Sequence, residues 1–200
     1  MGYMVATPTV IGILQSCEKE TPWLPAYFSV EEGIVIRNLV DLILPKTDTV
    51  PGAKELNIPQ FIDKFLNEVV EEKDQNQFRN GLTGFVKELG ISGEVMANDV
   101  KIDAYDPILS KYLRASKEQQ EEYWEHIGNA KMLAGEDGVP KIDDDAAVFS
   151  FLSSVRGLSI WGFKTHETIG KEYMAYDPIP GRQAGCIPLE DATGGKAYSL

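Results

Sequence analysis

Two histidines, two cysteines and a run of three aspartates are the places in this 200-residue chain where residue types and spacing could support chemistry. His166-Glu167 begins like the helical zinc motif in which two histidines one turn apart bind the metal and the glutamate acts as general base. Gly170 stands where the second histidine belongs, and His126 is the only other imidazole. A multi-histidine site is therefore out of reach. Thr165 is a natural start for a short helix toward Tyr173, so His166 reads as a surface or capping residue. Asp143-Asp144-Asp145 lacks the ligands spread over about twelve residues, closed by a glutamate, that a calcium loop needs. Three acids before an apolar periodic run suit a helix N-terminus instead. Gly81-Leu82-Thr83-Gly84 has no preceding strand and only part of a glycine fingerprint, which removes a dinucleotide loop. These residues predict no catalytic, cofactor-binding or metal-binding site in this chain.

The cysteines carry more. No charged residue occurs from Met1 to Ser16, and Met4 to Leu14 is apolar or small throughout. Sixteen residues are too few to cross a hydrocarbon core that needs about 20, so residues 1–17 read as the apolar region of a signal peptide. Leu14-Gln15-Ser16-Cys17 looks like a lipobox, with Gln15 in place of the usual small residue, and Cys17 becomes the lipid anchor. No basic segment precedes the apolar one, so this reading expects arginines encoded upstream of Met1. The competing reading makes Val10 to Leu14 a first core element and Cys17 a buried thiol. With Cys17 acylated, Cys186 is a lone thiol in an oxidising compartment and a candidate intersubunit disulfide. A Cys17–Cys186 bridge and a buried free thiol are its alternatives.

A net charge of -12 and a pI near 4.6 spread negative potential over the surface. That field repels phosphate backbones, which excludes nucleic acid as a partner, and it repels anionic lipid heads. Membrane attachment then rests on the acyl chains of a covalent anchor.

The elements behind these residues are helical. After a Pro-containing linker over residues 18–28, Ser29 and Glu32 form a capping box, and Ile36, Leu39, Val40 and Ile43 follow at helical spacing until Pro45. Pro59 opens a second stripe through Phe61, Ile62, Phe65, Leu66 and Val69. Phe78, Leu82, Phe85 and Leu89 make a third, closed by Gly90. After a turn-rich interval, Asp106-Pro107 opens a short helix to Leu113, and Ser116 with Gln119 caps a helix carrying Tyr123, Trp124 and Ile127. A last one holds Ala146, Phe149, Leu152 and Val155. Trp124 and Trp161 fall within or just after such stripes and are expected in the core. The fold class is all-α, one mostly helical domain over residues 29–175. From 176 to 200 the prolines and glycines predict an irregular C-terminal arm, with enough apolar residues to pack along its own domain or a partner.

Two motifs resemble a known family. Leu44-Pro45-Lys46-Thr47-Asp48-Thr49-Val50-Pro51-Gly52-Ala53 resembles the opening motif of the gluconate 2-dehydrogenase subunit 3 family, with Pro45, Thr47, Asp48, Gly52 and Ala53 as its marks. Tyr176-Asp177-Pro178-Ile179-Pro180-Gly181 with Cys186-Ile187-Pro188-Leu189 looks like the family's C-terminal motif. The segments 151–158 and 162–163 are similar to its helix-then-turn portion. The resemblance implies a small accessory subunit of a flavin-dependent sugar or sugar-acid dehydrogenase. It implies FAD in a large partner subunit of the glucose-methanol-choline type, a cytochrome as a further partner, and an extracytoplasmic location. The arm residues Tyr176, Asp177, Pro178, Pro180, Gly181, Ile187 and Pro188 become the expected partner-binding arm. A free-standing extracytoplasmic ligand-binding lipoprotein, and a hydrolase using His166 and Glu167, are the rival functions.

Overall fold

The structure is a computed structural model that describes residues 23–135, 138–177, 181 and 185–199. Cys17 with its apolar leader, and Pro178 and Pro180 of the arm, lie outside the described residues. Seven α-helices make up most of the rest: α1 Val30–Ile43, α2 Ile58–Glu68, α3 Glu72–Glu88, α4 Tyr105–Leu113, α5 Lys117–Ala134, α6 Asp144–Thr165 and α7 Leu189–Thr193. No strand occurs among the described residues, and the domain is all-α.

Local chemistry accounts for the helix starts. Ser29 Oγ accepts the Glu32 amide while Glu32 Oε2 accepts that of Ser29 at 2.8 Å, a reciprocal cap that satisfies two orphan donors. Ser116 Oγ accepts from Gln119 and Asp143 Oδ1 from Ala146, so the first of the three aspartates is the N-cap of α6. The α1 helix ends at Leu44, where Pro45 follows and the Leu44 carbonyl accepts the amide of Ala53 at 2.9 Å.

Helix α6 is the axis of the domain, with α1 to α5 all packed on it and α3 most extensively. It is long and apolar enough to cross a membrane by length and composition, yet 56% of that window is buried inside the domain. Its closest neighbour is admitted by Gly81 and Gly84. A Cβ at Gly81 would collide with the Ala147 carbonyl and the Phe151 side chain, and one at Gly84 would meet Val148 Cγ2 at 2.7 Å. The glycine pair that lacked a dinucleotide context is a close helix crossing. Across it Phe78 and Phe85 of α3 meet Phe151 at centroid distances of 5.0 and 5.6 Å.

Three expectations change. Trp124 and Trp161 are half exposed, at 50% and 45%, rather than core. Each leans one ring edge on buried or half-buried aromatics, because the stripe it belongs to lies at the margin of the face that α6 buries. The short helix expected from Thr165 toward Tyr173 starts after His166 instead: α6 runs through Thr165, and a helical segment over 167–173, π-type at Ile169–Tyr173, follows. The arm is not wholly irregular. Pro188 supplies a fixed φ ahead of α7, and Gly194, at φ 61, stops it after five residues.

Candidate interaction site

The opening family-like motif is a folded clasp. Thr47 Oγ1 accepts the Val50 amide at 3.0 Å and the Thr47 amide donates to the Val50 carbonyl, closing a tight turn with Pro45, Thr47 and Asp48 exposed. Gly52 passes so near the Lys46 backbone that a Cβ there would stand 2.6 Å from its nitrogen. Ala53 is fully buried and hands its amide back to Leu44. The motif therefore returns the chain from α1 to α2 across a minimal gap.

Ahead of α1, residues 26–28 are held by one carboxylate that the sequence did not announce. Asp63 of α2 is 2% exposed and accepts the amides of Ala26, Tyr27 and Phe28 at 2.7, 2.9 and 3.1 Å. Three backbone donors satisfy a buried charge that would otherwise be costly. Arg79 completes the anchor, bonding Glu32 and the Tyr27 carbonyl while its guanidinium lies 4.4 Å over the Tyr27 ring.

A second polar cluster ties three helices. Tyr112 of α4, fully buried, has its hydroxyl against Glu88 Oε1 of α3, 2.8 Å from Asp145 Oδ1 of α6 and 2.7 Å from Lys111 Nζ. Burial pushes the Tyr112 phenol far up, and both carboxylates push it further. The hydrogen bonds from Tyr112 and Lys111 hold Asp145 below its ordinary value. Burial opposes the charge on Lys111, but its bonds to Asp145 and Glu88 outweigh that and leave it raised. This is a helix staple, not an open site.

Of the residues weighed for chemistry, His166 caps the end of α6 and its Nδ1 accepts the Thr168 amide at 3.2 Å. His126 Nε2 lies 3.0 Å from Asp143 Oδ2, a tie between α5 and α6 over 17 residues that spacing did not suggest. The two histidines are not brought together, and among the described residues no group of three or more His, Cys, Asp or Glu could hold a metal ion.

The arm leaves the domain at Ala175 and comes back to it. The Ala175 amide donates to Ala197 at 2.8 Å and its carbonyl accepts from Ser199 at 2.9 Å, pairing the arm's two ends in parallel. Between them Tyr176, Asp177, Gly181, Ile187, Pro188 and Leu189 are all exposed. Cys186 is an exposed free thiol at φ 50, a left-handed backbone that a side chain seldom adopts.

On another face, α2, α3, α5 and α6 enclose a groove of about 460 Å³ whose floor includes Leu66, Phe78, Ile127 and Phe151. Trp124 stands on one wall, its ring 5.1 Å from Phe149. On the other, Phe65 is covered edge-on by Trp161 at 5.3 Å.

The described residues form an all-α domain wound on one helix, with an arm whose two ends pair with each other and an aromatic groove on its surface. The family described as gluconate 2-dehydrogenase subunit 3 matches residues 30–181, and this chain belongs to it. No curated protein and no solved structure matches the chain.

Proposed function

We propose that this chain is the non-catalytic small subunit of an extracytoplasmic, flavin-dependent sugar or sugar-acid dehydrogenase, and that it supports export, folding and tethering of a large FAD-containing subunit. Membership in a dehydrogenase-subunit family supplies the complex, an oxidoreductase of several subunits. The observation that carries the structural role is the arm, pinned at both ends and presenting exposed apolar side chains and a free thiol between them. Exposed apolar groups on a tethered loop are what a partner surface buries. In this reading Cys186 bridges to the large subunit, Cys17 carries the lipid, and a cytochrome takes the electrons onward.

The test is coexpression of the flavoprotein subunit with and without this chain. Flavin-loaded, active enzyme is expected outside the cytoplasm only when both are present, and intact mass of the mature small subunit is expected to start at an acylated Cys17. Sugar oxidation by the purified small subunit alone, or full export of active flavoprotein without it, overturns the reading.

A further inference from the structure

We infer that the groove between Trp124 and Phe65 seats an apolar helix of the companion subunit, an inference that rests on the subunit reading above. The chain is one-quarter charged, yet the groove lining holds one acid and one base, Asp74 and Lys131, and these pair with each other at 3.8 Å. Its amide and one of its hydroxyls are likewise engaged together, Gln77 Nε2 donating to Ser150 Oγ at 3.4 Å. Ser154 is the remaining polar side chain of the lining, and charge in the groove is confined to that one pair. What remains available is aromatic and aliphatic surface.

Ser150, Ser154, Gly157, Leu158 and Trp161 fall on one stripe of α6 at spacings of three and four, and no charged residue lies on it. An exposed, charge-free stripe on a helix whose opposite face is already core has the composition of an interface centre, where charge is depleted and Trp is enriched. The small residues Ser150, Ser154 and Gly157 on the α6 side of the groove leave room for a second helix to approach closely. A helix suits an apolar groove because its backbone bonds are satisfied internally, and the described residues offer no strand edge for an extended peptide to pair with.

Charge selects among the occupants. A second copy would bring two bodies of net charge -12 together, and an anionic lipid surface meets the same repulsion. A different protein that presents an apolar helix avoids both.

Gly157 provides the test, because a Cβ built there meets nothing within 4 Å and a side chain can be added without displacing the domain. Gly93, equally open, lies beyond the far end of α3 and serves as the matched control. Tagged full-length chain is coexpressed with its flavoprotein, and the flavoprotein retained is quantified by bound flavin. Gly157→Arg is expected to weaken retention at least about tenfold, with the circular-dichroism melt no lower than that of the wild type, while Gly93→Arg retains the wild-type amount. If Gly157→Arg melts early, Ser154→Arg is the second variant with the same expectation. Wild-type retention by the folded variant overturns the inference. So does retained flavoprotein with lost flotation on phosphatidylcholine–phosphatidylglycerol vesicles, which makes the groove a membrane-facing surface. Failure of the unmodified chain to retain any flavoprotein is a separate result that removes the subunit reading itself and the inference with it.

Discussion

Tyr112 donates its buried hydroxyl to Glu88, joining the C-terminal end of the short α4 helix to the last residue of α3, and Asp145 closes the same knot from the first turn of α6. Tyr112→Phe keeps the ring packing and removes the knot's centre. A loss of about 1–2 kcal/mol is expected, read as a melting temperature about 2–8 °C lower.

The same cluster sets two limbs of the pH profile. Asp145 sits below its ordinary value in the folded state, so its contribution is complete above that ordinary value, 3.8, and fades as pH falls through the lower folded one. Tyr112 is raised, so the folded state holds its proton more tightly and stability declines as pH climbs beyond 10.0, the phenol's ordinary value. Denaturant titrations from pH 3 to 11 should show both limbs. In Tyr112→Phe the alkaline limb should flatten, and an unchanged limb would assign it to other groups.

Asp63→Ala strands the amides of Ala26, Tyr27 and Phe28 at a site where water does not reach the carboxylate. A cost of about 3 kcal/mol is expected. Hydrogen exchange at those three amides should accelerate more than exchange within α3. Uniform acceleration across the domain would show that the lead segment is not held by this residue.

Two glycine substitutions should move stability in opposite directions. Gly81→Ala drives a methyl into the Ala147 carbonyl and Phe151, and a loss of about 2 kcal/mol or more is expected from overpacking. Gly128 in α5 faces open space, so Gly128→Ala should gain up to about 1 kcal/mol from helix propensity alone. Equal effects would mean that α3 and α6 are not pressed together at Gly81.

Cys186 is exposed in the arm, and the bridge proposed for it is read directly on a nonreducing gel of the native complex. A band containing both subunits should disappear in Cys186→Ser and on reduction. Two separate bands for the wild type under nonreducing conditions would rule the bridge out.

Much of the helix layout was legible because its signals are local. Ser29, Ser116 and Asp143 cap helices through bonds that span three residues, and Pro45 and Gly90 end them by their own backbone limits. The all-α class followed from those caps and the apolar spacing between them. Residues 165–173 were less legible, since periodicity there does not show that α6 continues to His166 before the chain bends.

The candidate site was the harder part. Both pieces of the arm's motif stood in the sequence, but the return of residues 197–199 to Ala175 did not, because main-chain pairing leaves no mark on residue type. Trp124 and Trp161 have the spacing of core residues, and periodicity names a face without naming what covers it. Asp63, Tyr112 and the Gly81 crossing depend on partners 24 to 70 positions away, as with Glu88 24 residues from Tyr112, Asp63 35 from Phe28 and Phe151 70 from Gly81. The sequence by itself determined where the capped helices begin and how acidic the surface is, since these depend on near neighbours and on composition. The tertiary structure decided which apolar stripe of α6 became core and which was left as an open groove, since that choice is made by the helices that pack around it.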